Sequence, residues 1–218
     1  MAQKGTTGDA PTPRVERTRS TRQAIIEAAA RLGRERSGGQ PSVAEIAQAA
    51  GVFPNQITYH FGSKDSLLVH AAFLALLHDT RRIERVGLQA ADGEAFRRTI
   101  ARVVLALPSL PLVAAALALG IGRGDLAPVI DRHLQLLFRQ SERFLRALVD
   151  SRGWIIERPI TQEVRTFWSA ALGGALLAQA GVQGSAADLD LAGTLTIGEG
   201  RMRPPASRHG RADAGDTG

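Results

Sequence analysis

Residues 42–64 read SVAEIAQAAGVFPNQITYHFGSK, and this stretch decides the fold. Ser42 and Glu45 have the spacing of a capping box, which starts a helix by satisfying its free backbone N–H groups. Gly51 follows a short periodic apolar segment, where a left-handed turn favours glycine. Phe53-Pro54 then fits the start of a second helix, because proline is tolerated in a first turn. The stretch predicts two short helices joined by a tight turn.

The second of these helices has an outer surface of polar and aromatic side chains. Ile57 and Phe61 point back into the core, which leaves the other faces for a partner. Amide groups can pair with adenine in the major groove, and hydroxyl or cationic groups contact phosphates. We expect base contacts from Asn55, Gln56 and Tyr59, and phosphate contacts from Ser42, Thr58, His60 and Lys64. Packing of Tyr59 and His60 against the first helix is the alternative.

The same stretch resembles the DNA-binding signature of the TetR family of bacterial transcriptional regulators. The matching residues are Ile46-Ala47, Ala50-Gly51-Val52, Tyr59-His60-Phe61, Lys64 and Leu67-Leu68. The similarity extends upstream to 21–32, which resembles the first helix of the family. Phe53-Pro54 replaces a polar pair that family members often have at the start of the second hairpin helix, and Thr58 stands where an aromatic residue is frequent in the family. These departures concern the operator sequence rather than the class.

Composition is consistent with a helical protein that binds a polyanion. The 218 residues carry a formal net charge of +6, and Ala and Leu dominate between glycine- and proline-rich breaks. No long alternating β-pattern occurs, so we predict an all-α fold. The basic charge suits nucleic acid, although genomic base composition could equally explain a chain whose only lysines are Lys4 and Lys64. The absence of cysteine excludes disulfides and thiolate metal sites.

The resemblance and the helical pattern together predict four regions. Residues 1–17 are expected to be a disordered arm and residues 199–218 a disordered tail. Between them we expect a three-helix DNA-binding domain with a helix-turn-helix over 18–62, and a helical effector-binding and dimerisation domain over 63–198. The predicted helices outside the 42–60 hairpin are Ser20–Arg34, a fourth from the Ser63 cap to about Arg85, Glu94–Ala106, Pro111–Leu119, Leu126–Asp150, Thr161–Ala180 and Ala186–Thr196.

Arginines lead into the first predicted helix. Arg17, Arg19 and Arg22 would suit an arm that follows phosphates or enters a minor groove. A solvated, unstructured leader explains the same residues equally well.

Small residues mark the helix predicted over Thr161–Ala180. Glycine costs about 1 kcal/mol in a helix interior, so paired glycines suggest that another backbone packs closely there. The resemblance implies a four-helix bundle with a second copy of the chain, formed by this helix and the last one. The predicted dimer interface comprises Ala170, Gly173, Gly174, Ala178, Leu191 and Leu195. Packing against the preceding helix is the alternative.

Apolar side chains in the middle of the chain could line a ligand chamber. The candidate lining residues are Leu105, Leu112, Leu119, Phe138, Trp168 and His133. Such residues at helical spacing also occur in plain cores. The resemblance implies that a small effector binds there and releases DNA, and the apolar lining suggests that this effector is apolar or amphipathic.

Other classes of function find little support in the sequence. No cysteine nucleophile, serine elbow, HExxH or P-loop is present, so we expect no enzyme, no cofactor and no metal. The uncharged stretch 103–122 is interrupted by Pro108 and Pro111, which favours two buried helices over a membrane span. With no targeting segment recognised, the expected protein is a cytoplasmic homodimeric repressor of a double-stranded, pseudo-palindromic DNA operator. The alternative is a helical interaction module or small-molecule-binding protein without operator activity.

Overall fold

The computed structural model describes residues 13–35, 39–182, 184 and 189–199. Within these ranges the chain forms eight α-helices and one two-stranded sheet. The helices are α1 Pro13–Glu35, α2 Val43–Ala50, α3 Pro54–Phe61, α4 Lys64–Leu88, α5 Gly93–Leu105, α6 Ser109–Gly120, α7 Ala127–Arg152 and α8 Ile160–Gln179. A 3₁₀ turn spans Ala192–Thr194, and the strands are β1 Trp154–Ile156 and β2 Ile197–Glu199. The all-α prediction is confirmed.

Local signals form the predicted hairpin of α2 and α3. The Ser42 hydroxyl accepts from the Glu45 N–H at 3.2 Å, and the Glu45 carboxylate accepts from the Ser42 N–H at 2.7 Å. Gly51 ends α2 with φ 66° and ψ 35°, a left-handed conformation that a residue with a Cβ adopts at a cost. The Val52 N–H then donates to the Ala47 carbonyl at 3.0 Å, which closes the turn.

Two apolar cores lie on either side of α4. The first joins α1, α2, α3 and the first half of α4, and its fully buried residues include Ile25, Ile46 and Ile57. The second is formed by the later helices and the sheet. Residues of α4 alternate between them, since Leu67 and Ala71 belong to the first core and Val69 and Phe73 to the second. The predicted domain boundary at residue 63 therefore separates α2 and α3 from α4, although the first half of α4 completes the core on which they pack.

The first helix starts earlier than predicted. Residues 13–17 were expected in a disordered arm, but α1 begins at Pro13, where proline is compatible with a first turn. The prediction placed the start at Ser20 because the apolar periodicity begins only around Ile25. Residues 1–12, the rest of the predicted arm, lie outside the described residues.

The prediction of a final helix over Ala186–Thr196 is wrong for the part of it that the structure describes. Residues 189–199 contain the 3₁₀ turn and β2, which pairs antiparallel with β1 with Ile155 opposite Gly198. Leu191, Leu195 and Ile197 are buried in the second core, so burial rather than helix periodicity explains their spacing. The predicted tail overlaps β2 at Glu199 and otherwise falls outside the described residues.

The uncharged stretch 103–122 is divided between two helices, as predicted, because α5 ends at Leu105 and α6 begins at Ser109. Among the described helices, none is by itself both long and apolar enough for a membrane span, and α5 and α6 meet that condition only as a pair bent by 66°.

Candidate functional site

The outer face of α3 carries large side chains that none of the described residues covers. Tyr59 is 79% exposed and Phe53, just before the helix, is 76% exposed, while Asn55 and Thr58 are also exposed. Ile57 is buried on the opposite face. A short helix held firmly on one side and left polar and aromatic on the other can enter a groove of a nucleic acid.

The other predicted base-contacting residue has a structural role as well. Gln56 is half-buried, and its Oε1 accepts from the Phe53 N–H at 3.3 Å, because α3 has no serine or aspartate cap. One of the two groups needed for a bidentate contact to adenine is therefore used within the protein.

Ser42 is similarly occupied. Its hydroxyl donates to Glu45 Oε2 at 2.6 Å while accepting from the Glu45 N–H. A phosphate contact from this hydroxyl would have to break the bond to a carboxylate, so its observed role is that of a helix cap. His60 and Lys64 are half-buried beside the same surface, and the His60 ring lies 5.0 Å from that of Tyr59 in an edge contact.

The three predicted arm arginines separate in the structure. Arg17 and Arg19 are exposed on α1. Arg22 is not part of a free arm: its guanidinium lies 4.8 Å from the centroid of the Phe61 ring, and Nη2 lies 2.9 Å from His70 Nε2. The prediction of a DNA contact from Arg22 is therefore not supported by its position, since the side chain turns toward α3 and α4.

A pair of histidines continues the contact from Arg22. His70 Nδ1 on α4 lies 2.8 Å from His133 Nε2 on α7, and the His133 ring stacks on Phe73. Burial, followed by the charge of Arg22, lowers the pKa of His70 to about 4. Burial also lowers the pKa of His133. Both rings are therefore neutral at pH 7.

The predicted ligand-lining residues fall in different places rather than in one chamber. His133 lines a cavity of about 190 Å³ between α1, α4 and α7. Leu112 and Leu119 line one of about 80 Å³ where α6 meets α1 and α4, and Trp168 lines one of about 60 Å³ among α4, α5, α7 and α8. Two further candidates, Leu105 and Phe138, pack against the second core.

The predicted dimer residues also divide into two groups. Gly173 and Ala178 are exposed on α8, and Ala170 is half-buried. The other three are buried within the protomer: Gly174, Leu191 and Leu195. The predicted contribution of Leu191 and Leu195 to an interface is wrong for this structure, because β2 and the turn before it fold back into the second core.

The structure also contains side-chain contacts that the sequence pattern did not predict. Arg123, in a glycine-rich loop, binds Asp65 at 2.9 Å and also Asp125 at 2.9 Å, joining the start of α4 to the loop before α7. The apolar pattern of α4 does not by itself predict these contacts of His70. Its position on a face of α4 that is otherwise buried was the available signal for a polar contact inside the protein.

Two family models match the chain in the regions that these sites occupy. The model of bacterial regulatory proteins of the tetR family matches residues 25–71, and that of a bacterial transcriptional repressor C-terminal domain matches residues 93–196. A candidate transcriptional regulator from Rhodococcus sp. RHA1 is 30% identical in sequence, with 76% of this chain and 90% of that chain covered and a TM-score of 0.62. The chain belongs to the TetR family.

More distant structures support the fold of this TetR-family protein. A TetR-family transcriptional regulator from Agrobacterium tumefaciens is 18% identical, with 82% and 99% of the two chains covered and a TM-score of 0.52. A TetR transcription regulator from Haloarcula marismortui ATCC 43049 is 13% identical, with 81% and 98% covered and a TM-score of 0.53. No curated protein gave a significant sequence match. The protein is thus a TetR-family transcriptional regulator with a DNA-binding region at its N-terminal end.

Proposed function

We propose that this TetR-family regulator is a cytoplasmic, non-enzymatic repressor that binds a pseudo-palindromic operator as a homodimer and is released by a small effector. The observation that carries the proposal is the exposed surface of α3, with Asn55 and Tyr59 outward over a buried Ile57. The match of residues 93–196 to a repressor C-terminal domain supports the direction of regulation.

The role of each DNA-binding residue follows from its exposure and its existing partners. Asn55 and Tyr59 contact base edges, where an amide can pair with adenine and a ring edge can touch a thymine methyl group. Gln56 contributes its remaining amide group while it caps α3. Thr58, His60 and Lys64 contact phosphates, and Arg17 and Arg19 extend the basic surface along α1. The DNA-binding domain spans 18–62, together with the start of α1 from Pro13, and the effector and dimerisation domain spans 63–198, with the first half of α4 shared between their cores.

Support for the homodimer comes from the open face of α8. A Cβ built on Gly173 would meet no described atom within 4 Å, so nothing in the described part of the protomer explains a glycine there. Leu177, one turn later on the same face, is 50% exposed. A second copy packed on this face would bring its backbone close to Gly173 and cover Leu177. Two-fold symmetry would then hold two α3 helices for successive major grooves, about 34 Å apart.

Footprinting on the upstream region of the gene tests the operator. Asn55→Ala should relax the sequence preference. Lys64→Ala should weaken binding to all sequences, and the dependence of the binding constant on salt concentration should fall by the amount expected for about one phosphate contact. Gln162→Ala, an exposed change on α8, is the control and should leave both unchanged. A protein that sediments as a monomer and protects no promoter fragment at low ionic strength would overturn the proposal.

A further inference from the structure

The cavity between α1, α4 and α7 has one polar wall and otherwise apolar walls. Its volume is about 190 Å³. Arg22, His70 and His133 form the polar wall, with Gln23 and Gln140 as further polar groups. The apolar lining residues are Ile26, Phe73, Leu74, Leu76, Leu77, Leu136 and Leu137.

Hydrogen bonding fixes the direction of the polar chain. A guanidinium can only donate, so His70 Nε2 must accept from Arg22. His70 then carries its proton on Nδ1 and donates to His133 Nε2. The charge of Arg22 thus faces a neutral ring, a weaker partner than a carboxylate.

The hydrogen-bonded series of Arg22, His70 and His133 lies in cationic surroundings. After burial, the charge of Arg22 lowers the pKa of His70 most, and the charge of Arg132 lowers it further. None of the described residues that line the cavity is acidic. The polar wall of the cavity therefore lacks an anionic partner. The leucine-rich walls would accept an apolar group attached to such an anion.

We propose that this cavity binds a small organic acid with a compact apolar body, whose carboxylate takes the place of the His70 ring at the Arg22 guanidinium. Its regulatory consequence rests on the proposed function, with the acid as the effector that releases DNA. The apolar body would lie between Phe73 and the leucines of α4 and α7.

The position of Arg22 explains how such binding would reach the DNA surface. Arg22 also covers Phe61, the last residue of α3, at 4.8 Å. A carboxylate that draws the guanidinium toward α4 and α7 would change this contact at the end of the recognition helix. An effector shifts an equilibrium only through such differential contacts.

Calorimetry on the full chain with matched acids and amides tests the site. The probes are benzoate, phenylacetate and octanoate, each compared with its neutral amide. At least one acid should bind at millimolar concentration or below while its amide does not. Arg22→Gln should lower the affinity for that acid by about tenfold or more, because the charge-assisted pair between the guanidinium and the carboxylate is lost. Arg22→Lys should retain part of the affinity, and Arg139→Gln, an exposed arginine of α7, should retain all of it.

A second variant separates lost binding from lost folding. Leu136→Trp leaves every charge in place and fills the cavity from its exposed edge, so it should also abolish binding of the acid. Circular dichroism melting of each variant identifies those that are folded. Amides that bind as tightly as acids, no binding by any acid, or unchanged affinity in both folded Arg22→Gln and Leu136→Trp would overturn the proposal.

DNA binding is measured on the same samples. A protein that binds an acid through Arg22 but no operator would overturn the proposed function and leave the site standing. Operator binding without any acid-specific binding would do the reverse.

Discussion

The guanidinium carbon of Arg22 lies 4.8 Å from the centroid of the Phe61 ring, so α1 touches the last residue of α3 through a cation–π contact. Phe61 is 8% exposed and belongs to the first core, while Arg22 also bonds His70. The orientation of the recognition helix is therefore linked to α4 through one side chain as well as through apolar packing.

A double-mutant cycle should detect this link. We expect Arg22→Gln and Phe61→Leu each to lower the free energy of unfolding, with a coupling of about 0.5–1 kcal/mol for a partly exposed cation–π pair. Urea unfolding of the four proteins measures it. Arg19→Gln combined with Phe61→Leu is the control pair and should be additive. A coupling of zero for Arg22 with Phe61 would show that the contact has no energetic effect.

Acidification should destabilise the protein through His70. Its pKa is lowered from 6.5 to about 4 in the folded state, chiefly by burial, so below pH 6.5 the unfolded chain binds more protons than the folded one. Stability is therefore complete above about pH 6.5 and is lost as the pH falls toward 4. With allowance for solvent screening, the expected loss at pH 5 is about 1 kcal/mol.

Replacing the ring tests the source of this pH dependence. His70→Gln should flatten the decline in melting temperature between pH 7 and 5, and His133→Gln should do so in the same direction because its pKa is also lowered. His78→Gln, an exposed change on the same helix, should keep the wild-type slope. Equal slopes in all four proteins would contradict the assignment.

A buried carboxylate should hold the last described segment in place. Glu163 is fully buried and accepts from Arg158 Nε at 2.8 Å and from the Thr196 N–H at 2.9 Å. Arg158 also donates to the Thr194 carbonyl. Glu163→Gln turns an amide donor toward these donors, and we expect it to lower the unfolding free energy by about 3 kcal/mol. Glu157→Gln, at an exposed position nearby, should cost little.

Hydrogen exchange gives the local readout for Glu163→Gln. The amides of 194–199 should exchange faster in this variant than in the wild type, while those of α2 and α3 should not change. Uniformly faster exchange throughout the chain would indicate global destabilisation and no specific role of Glu163 in holding 194–199.

The accuracy of the sequence predictions follows the range of the interactions involved. The hairpin of α2 and α3 was predictable because Ser42, Glu45 and Gly51 act within a few residues of one another. The segment 189–199 was not, since its spacing of leucines fits a helix and only contacts with Glu163 and β1 select another structure.

The site residues show the same division. The exposure of Asn55 and Tyr59 followed from α3 alone, whereas the pairing of His70 with His133 joins residues 63 positions apart. Burial of Leu195 likewise depends on the fold of the chain after α8, which periodicity does not reveal.

A single substitution on α8 should have opposite effects on the protomer and on the dimer. Gly173→Ala adds a methyl group where none of the described residues has an atom within 4 Å, and alanine favours a helix over glycine by about 1 kcal/mol. We therefore expect greater helix stability in the protomer. If a partner backbone packs on this face, the same methyl group should weaken association, and Gly173→Leu should weaken it further. Sedimentation equilibrium measures the association, and denaturation of the separated protomers at low concentration measures the stability. Gly124→Ala lies in an exposed loop, where no atom in the described ranges is within 4 Å of the added Cβ, and it controls for a general effect of removing glycine. A stabilised protomer whose association constant is unchanged would exclude Gly173 from the interface.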